Sequence, residues 1–441
     1  MPDKPTMIPD ELWQHVTSAR WFAGKGRAAR PGGLHVLDPY VDDPDLRVGS
    51  VVVEACFPDG TIEWYQVLLA QRPERGEGWL YELEGAEADA RVHVHDALRD
   101  PDALRRLVDA IATQTVTDSW SSQIVRPVDL SGPLRVFGGE QSNTSVMVGD
   151  VAMIKFFRRL EAGANLDIAV HDALGRAGVD SVATLFGWLG ASLPIGGDDE
   201  TVQGDLAMIV QKLPEARDGW EVATASARDG GDFTADAAEL GSSLATIHLA
   251  LADTFPTAVL EASDLADGMV TRLHAAAAEA GDLEPLREPL ETLFAGLEDA
   301  RVPGQRVHGD FHLGQTLLTA DGWRIIDFEG EPIKPLAERS LPDSRWRDVA
   351  GMLRSLAYAT SACDDPDSPE AQRWMSEAQE AFMAAYCAQA QGGTMSSEDQ
   401  RLLDAYVADK AIYEVVYETR NRPDWVDIPL RALRMLANER T

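Results

Sequence analysis

Apolar and polar positions alternate with a period of two over Val51–Cys56 and Thr61–Gln71, and the Phe57-Pro58-Asp59-Gly60 tetrad between them predicts a β-hairpin. A short helix over Pro9–Ser18 precedes it. Residues 100–114 change to a helical period behind Asp100-Pro101, a helix-start signal. A strand pair is expected next, with Leu134–Phe137 followed, after the polar Gly138–Ser145 turn, by Val146–Val148 and Val151–Phe156. The pattern then predicts a helix over 165–177 and strands over Val182–Leu189 and Ala207–Val210. From 235 onward the helical period dominates, interrupted only at 308–331. Strands first and helices later imply an α+β chain, a sheet lobe followed by a larger helical lobe. The expected division is an N-terminal cap subdomain (1–90), an intermediate region with the sheet lobe (91–213) and a helical lobe (214–441).

Composition narrows the class. The chain has 441 residues, enough for two or three packed units, and its 45% hydrophobic content supplies sizeable cores. No apolar run reaches the roughly 18–20 residues of a membrane span, and the first 20 residues lack the apolar stretch of a signal peptide. Three widely separated cysteines, Cys56, Cys363 and Cys387, give neither a disulfide framework nor a zinc pattern, so a cytoplasmic protein with reduced thiols is expected. A formal charge of −34 opposes approach to nucleic acid and to anionic membranes, and modestly favours a cationic small molecule.

The interruption at 308–331 reads HGDFHLGQTLLTADGWRIIDFEGE. Asp310 stands between His308 and His312, Gln315 follows, and a Thr319–Gly322 turn leads into an apolar strand that delivers Asp327. Two acids from neighbouring elements with a carboxamide between them are the minimum kit for phosphoryl transfer: one carboxylate orients and deprotonates a hydroxyl, while the other acid and the amide oxygen hold Mg²⁺ on the phosphates. Any one of these acids alone would be explained by an ordinary hairpin with an Asp-Gly turn; the ordered set is what carries the reading.

Earlier in the chain, Gly138-Gly139-Glu140-Gln141-Ser142-Asn143-Thr144-Ser145 lies between two strands, with Lys155 on the second. Such a turn can direct backbone N–H groups and the side chains of Ser142, Asn143, Thr144 and Ser145 at phosphates. Lys155, flanked by Ile154 and Phe156, suits charge neutralisation of an ATP phosphate, and a backbone site for adenine would fall at Gln211 and Leu213. Near the C-terminus Lys410, Tyr413, Glu414 and Tyr417 recur at i, i+3, i+4 and i+7 and share one helix face. Rings beside carboxylates, with Glu418, Asn421, Arg422 and Trp425 following, suit a sugar.

Taken together, Glu140–Ser145, His308-Gly309-Asp310, His312–Gln315, Asp327–Pro332, Arg347–Ala350, Arg20–Lys25 and the Asp409–Pro423 stretch resemble the maltokinase and actinobacterial glucosamine kinase group of the aminoglycoside-phosphotransferase-like kinases, relatives of the protein kinases. The resemblance implies a bilobal kinase-like fold with an N-terminal cap and Mg·ATP bound between the lobes. It also implies Asp310 as catalytic base, His308 supporting its loop, and Gln315 and Asp327 as metal ligands. Two departures stand out: Ala169 where the group carries the glutamate that fixes the lysine, with Glu161, Asp167 and Asp172 as possible substitutes, and Asn421 where maltokinases carry histidine. Carboxylates at Glu414, Glu418 and Asp424 suit an ammonium group, so glucosamine is the expected acceptor, with maltose the alternative. The missing helix glutamate keeps open a catalytically silent binding module. A monomer or weak homodimer is expected. Asp348 reads as a brace for the catalytic loop, and His248 as a satisfied core histidine.

Overall fold

A computed structural model describes residues 6–84, 91–139, 142–195, 201–297, 301–331 and 336–438. Glu140, Gln141 and Pro332 of the motifs lie outside the described residues. The chain divides into two compact units, Met1–Ala169 with Ala183–Pro214, and Val170–Val182 with Glu215–Thr441.

The first unit holds two antiparallel sheets. In one, the predicted hairpin forms its centre: Arg47–Cys56 pairs residue for residue with Ile62–Arg72, from Arg47↔Gln71 to Cys56↔Ile62. Gly60 closes the turn at φ +84°, a conformation that glycine adopts without strain. The interior side of this hairpin and the Asp10–Ser18 helix bury Leu12, Val16, Val53, Tyr65 and Val67. The second sheet has the order Trp120–Ile124, Leu185–Leu193, Val202–Gln211, Ala152–Phe157, Asn143–Val148, Leu134–Val136. The Pro101–Ala112 helix, capped by the Asp100 carboxylate on the N–H groups of Asp102 and Ala103, packs Leu104, Leu107, Val108 and Ile111 into this unit's core. The strand expected to start at Val146 starts at Asn143, because Asn143, Thr144 and Ser145 pair with Phe157, Phe156 and Lys155.

The second unit is built mainly of helices. Its core gathers the Thr234–Thr254, Trp346–Ala359, Pro369–Gln391 and Ser397–Asn421 helices around Phe294, Phe311, Trp323, Phe382 and Tyr386. Within it, Thr316–Thr319 and Gly322–Ile325 form the hairpin that the Thr-Ala-Asp-Gly turn predicts. Trp323 fastens that hairpin to the Thr234–Thr254 helix, its N–H donating to Glu239 and its indole N–H to Asp236, both at 2.8–2.9 Å. No helix among the described residues is long and apolar enough to cross a membrane.

Candidate active site

The His308–Gln315 segment follows the Arg301–Gln305 strand and is held by a buried carboxylate. Asp348, in the first turn of the Trp346–Ala359 helix, accepts the N–H of His308 (2.7 Å) and of Gly309 (2.8 Å), and Nε2–H of His248 (3.0 Å). His248 in turn takes the Tyr386 hydroxyl on Nδ1 at 2.9 Å. Burial by itself would raise the Asp348 carboxyl, but the His248 imidazole, His308 and the Gly309 N–H together hold it below the ordinary carboxylate range. The brace expected at Asp348 and the satisfied core histidine expected at His248 are therefore parts of one network.

His308 supports the same loop from its ring. Nδ1 accepts the Asp310 N–H at 3.4 Å and Nε2 donates to the Ile326 carbonyl at 3.0 Å, which fixes a single tautomer. The ring packs on Phe311 and Phe328. Gly309 turns the chain at φ +88°, a conformation that strains any side chain, and a Cβ there would also crowd the Gly330 backbone at 3.3 Å.

Asp310 is thereby presented beside two groups, Lys410 from the Ser397–Asn421 helix and His312 from its own loop. Lys410 Nζ lies 3.5 Å from one carboxylate oxygen and His312 Nε2 lies 4.0 Å from the other. Burial lowers the His312 imidazole; Lys410 and His308 lower it further, against the opposing pull of Asp310. The Gln315 amide and Asp327 meet at 3.4 Å. Asp327 sits at φ +67°, a left-handed conformation that a non-glycine residue keeps only where its surroundings impose it.

Asp310 opens on a cavity of about 490 Å³ whose far side is the Ser397–Asn421 helix and the turn after it. Tyr413, Glu414, Tyr417, Glu418, Arg422 and Trp425 all line it, as does Lys410. Tyr413 and Tyr417 are half-exposed and stacked, with centroids 6.5 Å apart and 23° between planes. The Arg422 guanidinium lies over Trp425 at 4.5 Å. Asn421 is not among the lining residues: its amide donates to the Tyr417 carbonyl at 2.8 Å on the exposed side of the helix end. Glu414 and Glu418, expected as open carboxylates, are buried and paired. Glu414 accepts Arg354 Nε at 2.9 Å, and Glu418 takes Arg422 through both oxygens at 2.7 and 2.9 Å. Burial raises the Glu414 carboxyl and Glu418 reinforces that, while Arg354 and Lys410 oppose it.

The nucleotide-side residues lie in the first unit. Lys155 Nζ meets Asp167 Oδ2 at 3.2 Å, both side chains being buried, so Asp167 takes the place left by Ala169. Asn143, Thr144 and Ser145 are strand residues, and only Ser142 keeps its place in the turn. The Thr144 hydroxyl accepts Arg158 Nε at 2.8 Å, and the Asn143 side-chain oxygen accepts the Arg158 N–H at 3.4 Å. Ser145 pairs across the ladder with Lys155, so its hydroxyl shares that side of the sheet. Arg158 itself is buried, and that burial pushes its guanidinium down to about 10. It also donates to the Gln66 carbonyl and lies over Trp21. Gln211 gives its N–H to Thr184 (2.8 Å) and Lys212 gives its own to Val151 (3.0 Å), which leaves Leu213 as the backbone candidate of the expected adenine site.

Sequence reasoning placed Lys410 on the acceptor face but not beside Asp310, and passed over Glu331, Tyr358 and Trp220 in the cavity lining. Lys410 had a signal, since it stands three residues before Tyr413 on the same face. Trp220 and Tyr358 had none, because only tertiary packing brings their helices to the cavity.

A carboxylate open to a cavity of about 490 Å³, followed in the chain by a carboxamide paired with a second carboxylate, is the apparatus of a phosphotransferase. Residues 133–399 match the model of the phosphotransferase enzyme family. A glucosamine kinase of Mycolicibacterium smegmatis is 31% identical over 344 residues, covering 73% of this chain and 83% of that protein. A glucosamine kinase of Streptacidiphilus jiangxiensis is 31% identical over 325 residues, covering 68% and 73%. Among solved structures, a glucosamine kinase in complex with glucosamine, ADP and inorganic phosphate superposes with a TM-score of 0.71 at 23% identity, covering 98% of this chain and 100% of that one. The chain belongs to the phosphotransferase enzyme family, with a kinase-like fold of sheet-rich N-terminal and helical C-terminal parts. The resemblance read from the motifs is borne out.

Proposed function

We propose that the chain is an ATP-dependent glucosamine kinase that converts glucosamine to glucosamine 6-phosphate. The observation that carries this reading is the cavity at Asp310. Stacked tyrosines offer faces for the C–H groups of a pyranose, and carboxylates held by cations (Asp310 by Lys410, Glu331 by Arg347, Glu414 by Arg354, Glu418 by Arg422) line it with acceptors for hydroxyl and ammonium groups. The names of the two relatives favour an amino sugar among such ligands.

The proton of the attacking hydroxyl passes to Asp310, whose carboxylate is oriented by Lys410 and by a loop that Asp348 and His308 hold in place. The sugar oxygen forms its bond to the γ-phosphorus as the bond to the β-phosphate oxygen breaks, and ADP leaves. The Gln315 amide N–H donates to Asp327 at 3.4 Å, so the pair would hold a divalent cation with the Asp327 carboxylate and, once the amide is turned, the Gln315 oxygen. Mg²⁺ there would supply charge neutralisation on the phosphates. Lys155, fixed by Asp167, adds a fixed positive charge on the nucleotide side, which argues against a silent binding module.

The pairing of Glu414 with Arg354 and of Glu418 with Arg422 favours a second reading, a neutral acceptor such as maltose. Coupled ADP release separates the two. Glucosamine should be turned over with the highest kcat/KM, and N-acetylglucosamine should be a poor acceptor because acylation removes the charge and adds bulk. Preference for maltose, or equal use of the N-acetylated sugar, would overturn the amino-sugar reading.

A further inference from the structure

The cavity at Asp310 does not end there. A second void of about 320 Å³ shares Asp310, Glu331, Gly351, Lys410 and Tyr413 with it. The two follow one another along the same two helices. On Ser397–Asn421 the second void takes Tyr406, Asp409, Lys410 and Tyr413, while the first takes Lys410, Tyr413, Glu414, Tyr417 and Glu418. On Trp346–Ala359 the order is Arg347 and Gly351, then Gly351, Ser355 and Tyr358. The lining residues advance in the same sense on both helices, so the voids are two halves of one groove. At 1.5 Å per residue the groove extends about 6 Å from the level of Lys410 to Tyr406 and about 10 Å from Lys410 to Tyr417. Lys410 is the residue that touches Asp310, so the catalytic carboxylate stands part-way along the groove and not at its end.

The half beyond Asp310 has its own chemistry. Arg272 grips Asp409 through Nε and Nη2 at 2.8 and 2.9 Å. The Tyr406 hydroxyl donates to Asp343 at 2.8 Å, and Arg347 bridges Asp343 and Glu331 at 2.8 Å each. Leu265, Met269 and Phe311 supply an apolar floor. The two arginine forks and the carboxylates they hold can donate to and accept from hydroxyl groups, and the apolar patch can take a ring face.

We infer that this groove accepts an amino sugar carrying a second ring, with the reacting sugar on the Tyr413–Tyr417 side and the second ring between Arg272–Asp409 and Tyr406. The inference rests on the reading of the site as an amino-sugar kinase. A reacting 6-hydroxyl at Asp310 then requires the second ring on the neighbouring 4-oxygen, since only a substituent close to the reacting carbon can pass Asp310 into the other half. The transfer itself is unchanged: the 6-oxygen gains the phosphoryl group, its proton goes to Asp310 and ADP departs.

The test uses the whole enzyme with glucosamine and with the β-1,4-linked glucosamine dimer, following ADP release and locating the phosphate in the product by NMR. Turnover of both is expected, with the dimer phosphorylated on its reducing-end ring. Arg272→Ala, on an exposed side chain, should lower kcat/KM for the dimer about tenfold through loss of charge-assisted bonds, and should change glucosamine turnover less than about twofold. Turnover of glucosamine with none of the dimer, phosphate only on the distal ring, or an equal Arg272→Ala effect on both acceptors would overturn the inference while leaving the kinase reading intact. Failure of glucosamine itself would overturn the reading on which it rests.

Discussion

Replacing Asp348 by asparagine tests the claim that one buried carboxylate holds the catalytic loop. The carboxylate accepts three N–H groups, with Oδ2 serving His308 and His248 and Oδ1 serving Gly309. An amide of the same shape keeps a single oxygen. If that oxygen serves His308 and His248, the Gly309 N–H faces an NH₂ group. One charge-assisted bond is lost and one part-buried donor is left without a partner, at roughly 1.5–3 and 1–3 kcal/mol, or about 2.5–6 kcal/mol in all. Set against a typical total of about 5–15 kcal/mol, that is a large share of stability. The pH dependence has a definite sign. The folded-state carboxyl of Asp348 is held below its unfolded value of about 3.9, so its contribution is complete above that pH and declines as pH falls through the folded value. Urea unfolding of both proteins at pH 7 and again near pH 3.5 should therefore show a wide gap that narrows in acid. Equal stability at pH 7, or a gap that does not change on acidification, would refute the argument.

Asp310→Asn should fold normally and lose about 10²–10⁴-fold in turnover, because the amide cannot take the hydroxyl proton; a steady-state assay showing near-wild-type kcat would remove Asp310 from the chemistry. Asp327→Ala should abolish the Mg²⁺-dependent part of ATP affinity in calorimetric titration, and an unchanged dependence on Mg²⁺ would exclude it as a ligand. Asp167→Ala leaves Lys155 buried beside an empty place, so it should destabilise the protein by roughly 3–5 kcal/mol and raise KM for ATP, with KM for the sugar the control. An Asp167→Ala enzyme with normal thermal stability and normal KM for ATP would show that the ion pair is idle.

Much of this was written locally in the sequence. The hairpin at Arg47–Arg72 and the Pro101–Ala112 helix follow from alternation, turn residues and a capping aspartate, all short-range signals. The helix face carrying Lys410, Tyr413, Glu414 and Tyr417 follows from spacing, and all four line the cavity. What spacing could not supply is which charge meets which. Asp167 replaces the expected glutamate from the second residue of the Leu166–Arg176 helix, two positions before Ala169, where a shorter side chain still reaches Lys155. Arg354, 60 residues from Glu414, neutralises a carboxylate that looks open in sequence. Asn421 looked like a site residue by position in a motif, yet the end of its helix turns it away from the cavity.

The helix that forms the far side of the acceptor cavity begins at Ser397, and the stretch shared with the rest of the family stops at residue 399. Lys410, Tyr413, Glu414, Tyr417 and Glu418 of the cavity thus stand beyond the matched stretch, while Asp310, Gln315, Asp327 and Asp348 stand inside it. On the proposed reading, changes from Tyr406 to Trp425 would alter what is bound while Asp310, Gln315, Asp327 and Asp348 stay as they are. Lys410 is where the two sets are joined, since its ammonium belongs to the Ser397–Asn421 helix and reaches the Asp310 carboxylate.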